Sequence, residues 1–158
     1  MDFEEQLKRA IERGRSRGDA HAAAHRQSQL SDSDRRGRHN QIRLRVSDHI
    51  EGSMHKLADH FPGFQTEILY GDKGWGAAVG RDDAVGKRQS QFSRLEVFVR
   101  PYSSLGIVDL IGKGTIRNRE LFQRNFYEDI EQADPQRLEQ LVDSWLLEYA
   151  ELYAAQPT

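Results

Sequence analysis

The sequence predicts an α+β fold: an antiparallel β-meander of four or five strands, a long N-terminal helical region, and a C-terminal amphipathic helix packed on the sheet. Three observations predict it. An apolar stripe at helical spacing runs from Ile42 to Phe61, short alternating segments separated by turn residues fill 64–111, and a wider helical stripe runs from Leu138 to Tyr153. Strands that follow one another, rather than alternating with helices, belong to antiparallel α+β arrangements.

Taken in order, residues 2–13 read as a short helix, with Phe3, Leu7, Ala10 and Ile11 at helical spacing and Gly14 and Gly18 interrupting it. Residues 19–30 hold good helix formers but few large apolar groups, and Ser31-Asp32-Ser33-Asp34 reads as a helix start or linker. Residues 1–32 are therefore expected to be a polar helical arm, mobile or ordered only against a partner, and 33–158 a single α+β domain. Over 33–61, Ile42, Val46, Ile50, Met54, Leu57 and Phe61 recur every three or four residues, and Pro62-Gly63 closes the helix. Alternation then predicts strands at 64–70, 75–81 and 92–100, with a polar, basic loop at 82–91. Leu105–Ile111 is apolar on both faces, which calls for a second covering layer and favours a homodimer. Residues 115–130 fit strand or helical turn equally and are expected to be irregular with a short final strand. Asp134 is an N-cap candidate and Pro135 suits the first position of the last helix.

Charge and composition narrow the function classes. The 158 residues include no Cys, which excludes disulfides, thiolate metal sites and a Cys nucleophile. No apolar run reaches the roughly 18 residues needed to span a bilayer, and the N-terminus lacks the apolar block of a secretory signal, so the cytoplasm is the expected compartment. The net charge of −2 hides an uneven distribution: residues 1–45 carry 11 basic and 7 acidic groups, residues 128–158 carry 1 and 8. Arg outnumbers Lys 18 to 5. A polyanion partner would suit the basic parts; so would pairing with the acidic C-terminal helix, within one chain or across a dimer.

Several constellations are candidates for chemistry. His21 and His25 share a helical face but lack a third ligand, so they read as solvated. Asp48, Glu51, His55 and Asp59 lie opposite the apolar stripe and read as a solvated face. The glycines at 71, 74, 76 and 80 follow a strand but precede no helix, so they do not make a dinucleotide loop. All six His precede residue 61, and no Gly-x-Ser-x-Gly elbow occurs, so no nucleophilic triad is signalled and no catalytic residue, metal or cofactor is expected. The segment 92–102 interleaves Phe92, Phe98 and Tyr102 with Arg94 and Arg100 on one face, the pattern with which sheets stack bases and hold phosphates. Basic residues at 81, 87 and 88 would border it, and Arg35, Arg36 and Arg38 form a second basic patch.

The resulting expectation is a non-enzymatic protein-binding or adaptor module, homodimeric, with a protein partner. The alternative is RNA or single-stranded DNA binding, and a third reading is an enzyme of unnamed reaction. The candidate binding residues are Arg35, Arg36, Arg38, Arg81, Lys87, Arg88, Arg94, Phe98 and Arg100.

Overall fold

A computed structural model describes residues 2–84 and 90–157. The elements run α1 (Phe3–His60), β1 (Gln65–Leu69), β2 (Trp75–Ala84), β3 (Ser90–Val99), β4 (Ile107–Ile116), β5 (Arg119–Asp129) and α2 (Pro135–Ala154). The five strands form one antiparallel sheet in sequence order, so the α+β meander is as expected. By its contacts the chain divides into two compact units, Met1–Gly37 and Arg38–Thr158. No described helix is long and apolar enough to cross a membrane.

The first unit is helical where interruption was expected. Asp2 Oδ1 accepts a hydrogen bond from the Glu5 backbone N–H at 2.9 Å and caps the start. Gly14, Gly18 and Ser31–Asp34 all lie within α1. An isolated glycine costs a helix about 1 kcal/mol relative to alanine, which the Glu, Lys, Arg, Ala and Gln around it can offset. At Ser31–Asp34 the Arg36 guanidinium bonds Asp32 one turn back at 3.1 Å, which favours helix over linker.

In the second unit the core lies between the inner face of the sheet and two helical stripes. Val46, Ile50 and Met54 of α1, with Leu138, Val142, Trp145 and Tyr149 of α2, pack with Val79, Leu95, Val97, Val99, Val108 and Leu110 of the strands. One glycine makes the fit possible: a Cβ on Gly112 of β4 would stand 2.5 Å from Trp145 Cε3, so only a bare backbone admits the indole. Asp134 caps α2 by accepting from Gln136 N–H at 3.0 Å, with Pro135 opening the helix. Tyr149 donates its hydroxyl to the Thr115 carbonyl at 2.8 Å, so this buried phenol has a partner.

Three segments differ from the sequence-based reading. Within 82–91, backbone pairing continues through Asp82↔Phe92, Asp83↔Gln91 and Ala84↔Ser90, because the ladder is made by the main chain and accepts polar side chains. Residues 115–130 are not irregular. Arg117 and Asn118, at φ of 49° and 68°, make a tight two-residue reversal, and β5 then pairs along β4 with one register shift at Gly114/Thr115. Asn118 is locked by β3: its N–H donates to the Phe92 carbonyl and its side-chain oxygen accepts from the Phe92 N–H, both at 2.8 Å. Finally, β4 alternates. Val108 and Leu110 are buried inward, Ile107, Asp109 and Ile111 are half-buried outward, and Leu105 precedes the strand, exposed.

Candidate functional site

Two surfaces of the second unit are candidates: the outer face of the sheet, which the sequence singles out, and a groove between the helices, which it does not.

On the outer face, strand register sets Phe98 of β3 beside Gly76 and Ile111. The absence of a side chain at Gly76 lets Phe98 settle into the sheet, where a Cβ would come 3.0 Å from that of Phe98. Lys73 covers it, its ammonium 5.2 Å from the ring centre. Phe98 is consequently only 5% exposed. The same ammonium reaches both oxygens of Glu96 at 3.1 and 3.2 Å. Arg94 bonds Glu67 at 2.8 Å and approaches Glu96 at 3.4 Å. Around Phe98 the face is therefore closed over by ion pairs, while Phe92 is 40% exposed and Tyr102 leaves this face to pack on the core beside His39. Phe98 presents little ring for a base to stack on, and Arg94 stands between two carboxylates rather than facing solvent alone.

The remaining predicted residues divide. Arg100 sits at the end of β3, 4.0 Å from Asp109 and largely exposed. Arg81 shares the inward parity of Ala77 and Val79, not that of Arg94, and donates to the Pro62 carbonyl at 2.7 Å, bracing the turn after α1. Arg38 donates to the Ile130 carbonyl at 2.8 Å and reaches that of Ala133 at 3.5 Å, tying α1 to the loop before α2. Arg36 pairs with Asp32, and Arg35 and Arg36 belong to the first unit. Lys87 and Arg88 lie outside the described residues. Of the nine, the fold brings together Arg94 and Phe98, with Arg100 at the edge of that face.

The groove lies between residues 49–60 of α1, with Phe61 just beyond its end, and 143–154 of α2, and has a volume of about 700 Å³. Its floor is apolar: Leu57, Phe61, Leu146 and Ala150. Its rim carries Leu147, which is 70% exposed. One wall, from α1, carries Lys56 and His60; the other, from α2, carries Asp143 and Glu151. A polar clasp closes one end. His49 Nε2 lies 2.7 Å from Asp143, its Nδ1 is 3.9 Å from Glu139, and Arg45 donates to Glu139 at 2.6 Å. At the other end Tyr153 meets Phe61 and Phe64 edge to face, with centroids 5.1 and 4.8 Å apart.

The chemistry open to the groove follows from the clasp. Ser53 stands one turn from His49 on α1, and the imidazole is held from the facing helix, its Nε2 by Asp143 at 2.7 Å. Among the described residues the hydrogen-bond partner of His49 is thus the Asp143 carboxylate rather than Ser53. Among the described residues no group of three or more His, Asp or Glu is placed to hold a metal ion. What the groove does offer is apolar area between oppositely charged walls.

The sequence hides this surface for two reasons. Leu57, Phe61 and Leu146 belong to the helical stripes and read as core, while Leu147 falls one residue outside its stripe. His49 meets its partners, Glu139 and Asp143, only through the fold, 94 residues away in the case of Asp143. No protein-family model, no curated protein and no solved structure matches the chain.

Proposed function

We propose that the chain is a non-enzymatic protein-binding module whose docking surface is the groove between α1 and α2, and that the partner element is an amphipathic helix. The observation that carries this reading is the groove itself: an apolar floor with an exposed leucine at the rim, where a solvent-facing helix layer would ordinarily be polar. Helices dock in such grooves through apolar side chains at i, i+4 and i+7. The charged walls add direction. An acidic flank of the guest suits Lys56 on α1, and a basic flank suits Asp143 and Glu151 on α2. The proposed compartment is the cytoplasm; with no Cys, nothing in the fold depends on an oxidising one.

The test uses the full chain and a synthetic amphipathic helix of about four turns, with leucines at i, i+4 and i+7, glutamates along one flank and lysines along the other. NMR shift changes should cluster on Leu57, Phe61, Leu146 and Ala150. Leu147→Glu and Ala150→Trp should each weaken binding by about tenfold or more without unfolding the domain, and a peptide with its flanks exchanged should bind less tightly. Shift changes confined to the sheet, or binding indifferent to both substitutions, would overturn the reading.

A further inference from the structure

The start of α1 carries an apolar face that nothing in the first unit covers. Phe3 is 74% exposed, Leu7 44% and Ile11 47%. Intervals of four place them in one row along three turns of helix. The row ends there, because the same face continues as Gly14 and Gly18, where a Cβ would meet nothing within 4 Å. Charge is divided along the same segment. Asp2, Glu4 and Glu5 come first, then Lys8, Arg9 and Arg13, with Glu12 the exception.

We propose that a second copy of this chain covers this face, the two arms pairing antiparallel about a two-fold axis at Leu7. The row is symmetric about that residue, so Phe3 of each arm meets the partner's Ile11, and Leu7 meets the partner's Leu7. Glu4 and Lys8 are one turn apart on the same flank of the row. The antiparallel arrangement therefore sets Glu4 beside the partner's Lys8 twice over. A parallel pair would put acidic turn beside acidic turn and basic beside basic, which costs rather than stabilises. The segment is thus complementary in charge to its own antiparallel copy, which favours a second chain in that direction. The contact uses no residue of the α1–α2 groove, so it stands or falls independently of the docking function.

The absence of Cys makes a clean cross-linking test possible in the full chain. Phe3→Cys and Ile11→Cys variants, mixed and mildly oxidised, should give a disulfide-linked pair containing one of each. Either variant alone should cross-link no more than Arg9→Cys, whose side chain lies off the row. In sedimentation, Leu7→Glu should shift the chain to monomer. Glu4→Lys or Lys8→Glu alone should raise the dissociation constant by several-fold, and the double exchange should restore it. Cross-linking of each variant to itself would replace the antiparallel register with a parallel one and overturn the proposal. So would a wild-type chain that sediments as monomer throughout, or a dimer that survives Leu7→Glu. Helicity measured by circular dichroism separates loss of pairing from loss of the arm.

Discussion

Substituting Phe98 with Ala distinguishes a packed sheet face from a base-stacking one. Phe98 is 95% withdrawn from water, against Gly76, Ile111 and the Lys73 side chain. Truncation removes about 150 Å² of buried apolar surface, which at about 25 cal/mol per Å² is about 3.8 kcal/mol, an upper figure because the unfolded chain already shields some of it. A cavity between strands adds to the loss, while the exposed position of Lys73 allows that side chain to collapse into part of the space. The expected cost is about 3 kcal/mol of folding stability, a large share of the 5–15 kcal/mol typical of a domain. Urea unfolding followed by circular dichroism measures it, with labelled single-stranded RNA titrated in parallel by anisotropy at about 50 and 200 mM salt. A stacking ring behaves in the opposite way: its loss costs about 1–3 kcal/mol of RNA affinity and leaves stability alone. A midpoint unchanged within about 0.5 kcal/mol, together with weakened and salt-sensitive RNA binding, would refute the packing argument and restore the nucleic-acid reading of this face.

Two further outcomes follow from the core. Gly112→Val must displace Trp145, whose ring lies 2.5 Å from the position of the added Cβ, and should cost at least the 1–3 kcal/mol usual for overpacking, with a red-shifted tryptophan emission; unchanged emission and stability would place the indole elsewhere. His39 is buried against Tyr102 with its Nε2 unpartnered, and burial, more than the nearby Arg43 charge, holds its proton affinity below the ordinary value of 6.5 despite a hydrogen bond to the Arg100 backbone. The neutral ring then favours the fold, so this contribution is complete above pH 6.5 and is lost as pH falls from there towards the folded value. His39→Asn should flatten that part of the stability–pH curve relative to wild type, and identical slopes would refute it.

What was legible in the sequence depended on how far apart the deciding residues lie. The stripe from Ile42 to Leu57 and the one from Leu138 to Tyr149 each lie on a single element, and both helices bury those residues. Asp134 and Pro135 announce α2 within two positions. The hairpin at Arg117-Asn118 was opaque because neither residue is glycine, and its positive φ values are sustained by Phe92 and Ser93 of another strand. The register shift after Gly114 also breaks the alternation that would have marked β5. Alternation sets Phe98 and Arg94 on one face, as the register does, but it also sets Tyr102 there, which past Pro101 packs on the core instead, and it says nothing of Lys73 and Glu67, which come from a turn and from β1 to cover and pair with them.

The arginine excess takes on a different meaning once its partners are known. In the second unit, Arg38 and Arg81 cap carbonyls at the ends of helices and turns, and Arg45, Arg94, Arg124 and Arg137 hold carboxylates of other elements. Arg124 and Glu148 join β5 to α2 through two hydrogen bonds, and that pairing raises the proton affinity of the guanidinium and lowers that of the carboxyl. A planar fork can meet two acceptors at once, as at Glu148 or at the Ile130 and Ala133 carbonyls, where a single ammonium could not. Such contacts use positive charge to fasten elements to one another, and each guanidinium so engaged is poorly placed to hold a phosphate. On the outer face of the sheet, Arg94 is engaged in this way between Glu67 and Glu96. The apolar floor between α1 and α2 and the row at the start of α1 are apolar where the sheet is charged, which suits them to the protein contacts proposed for each.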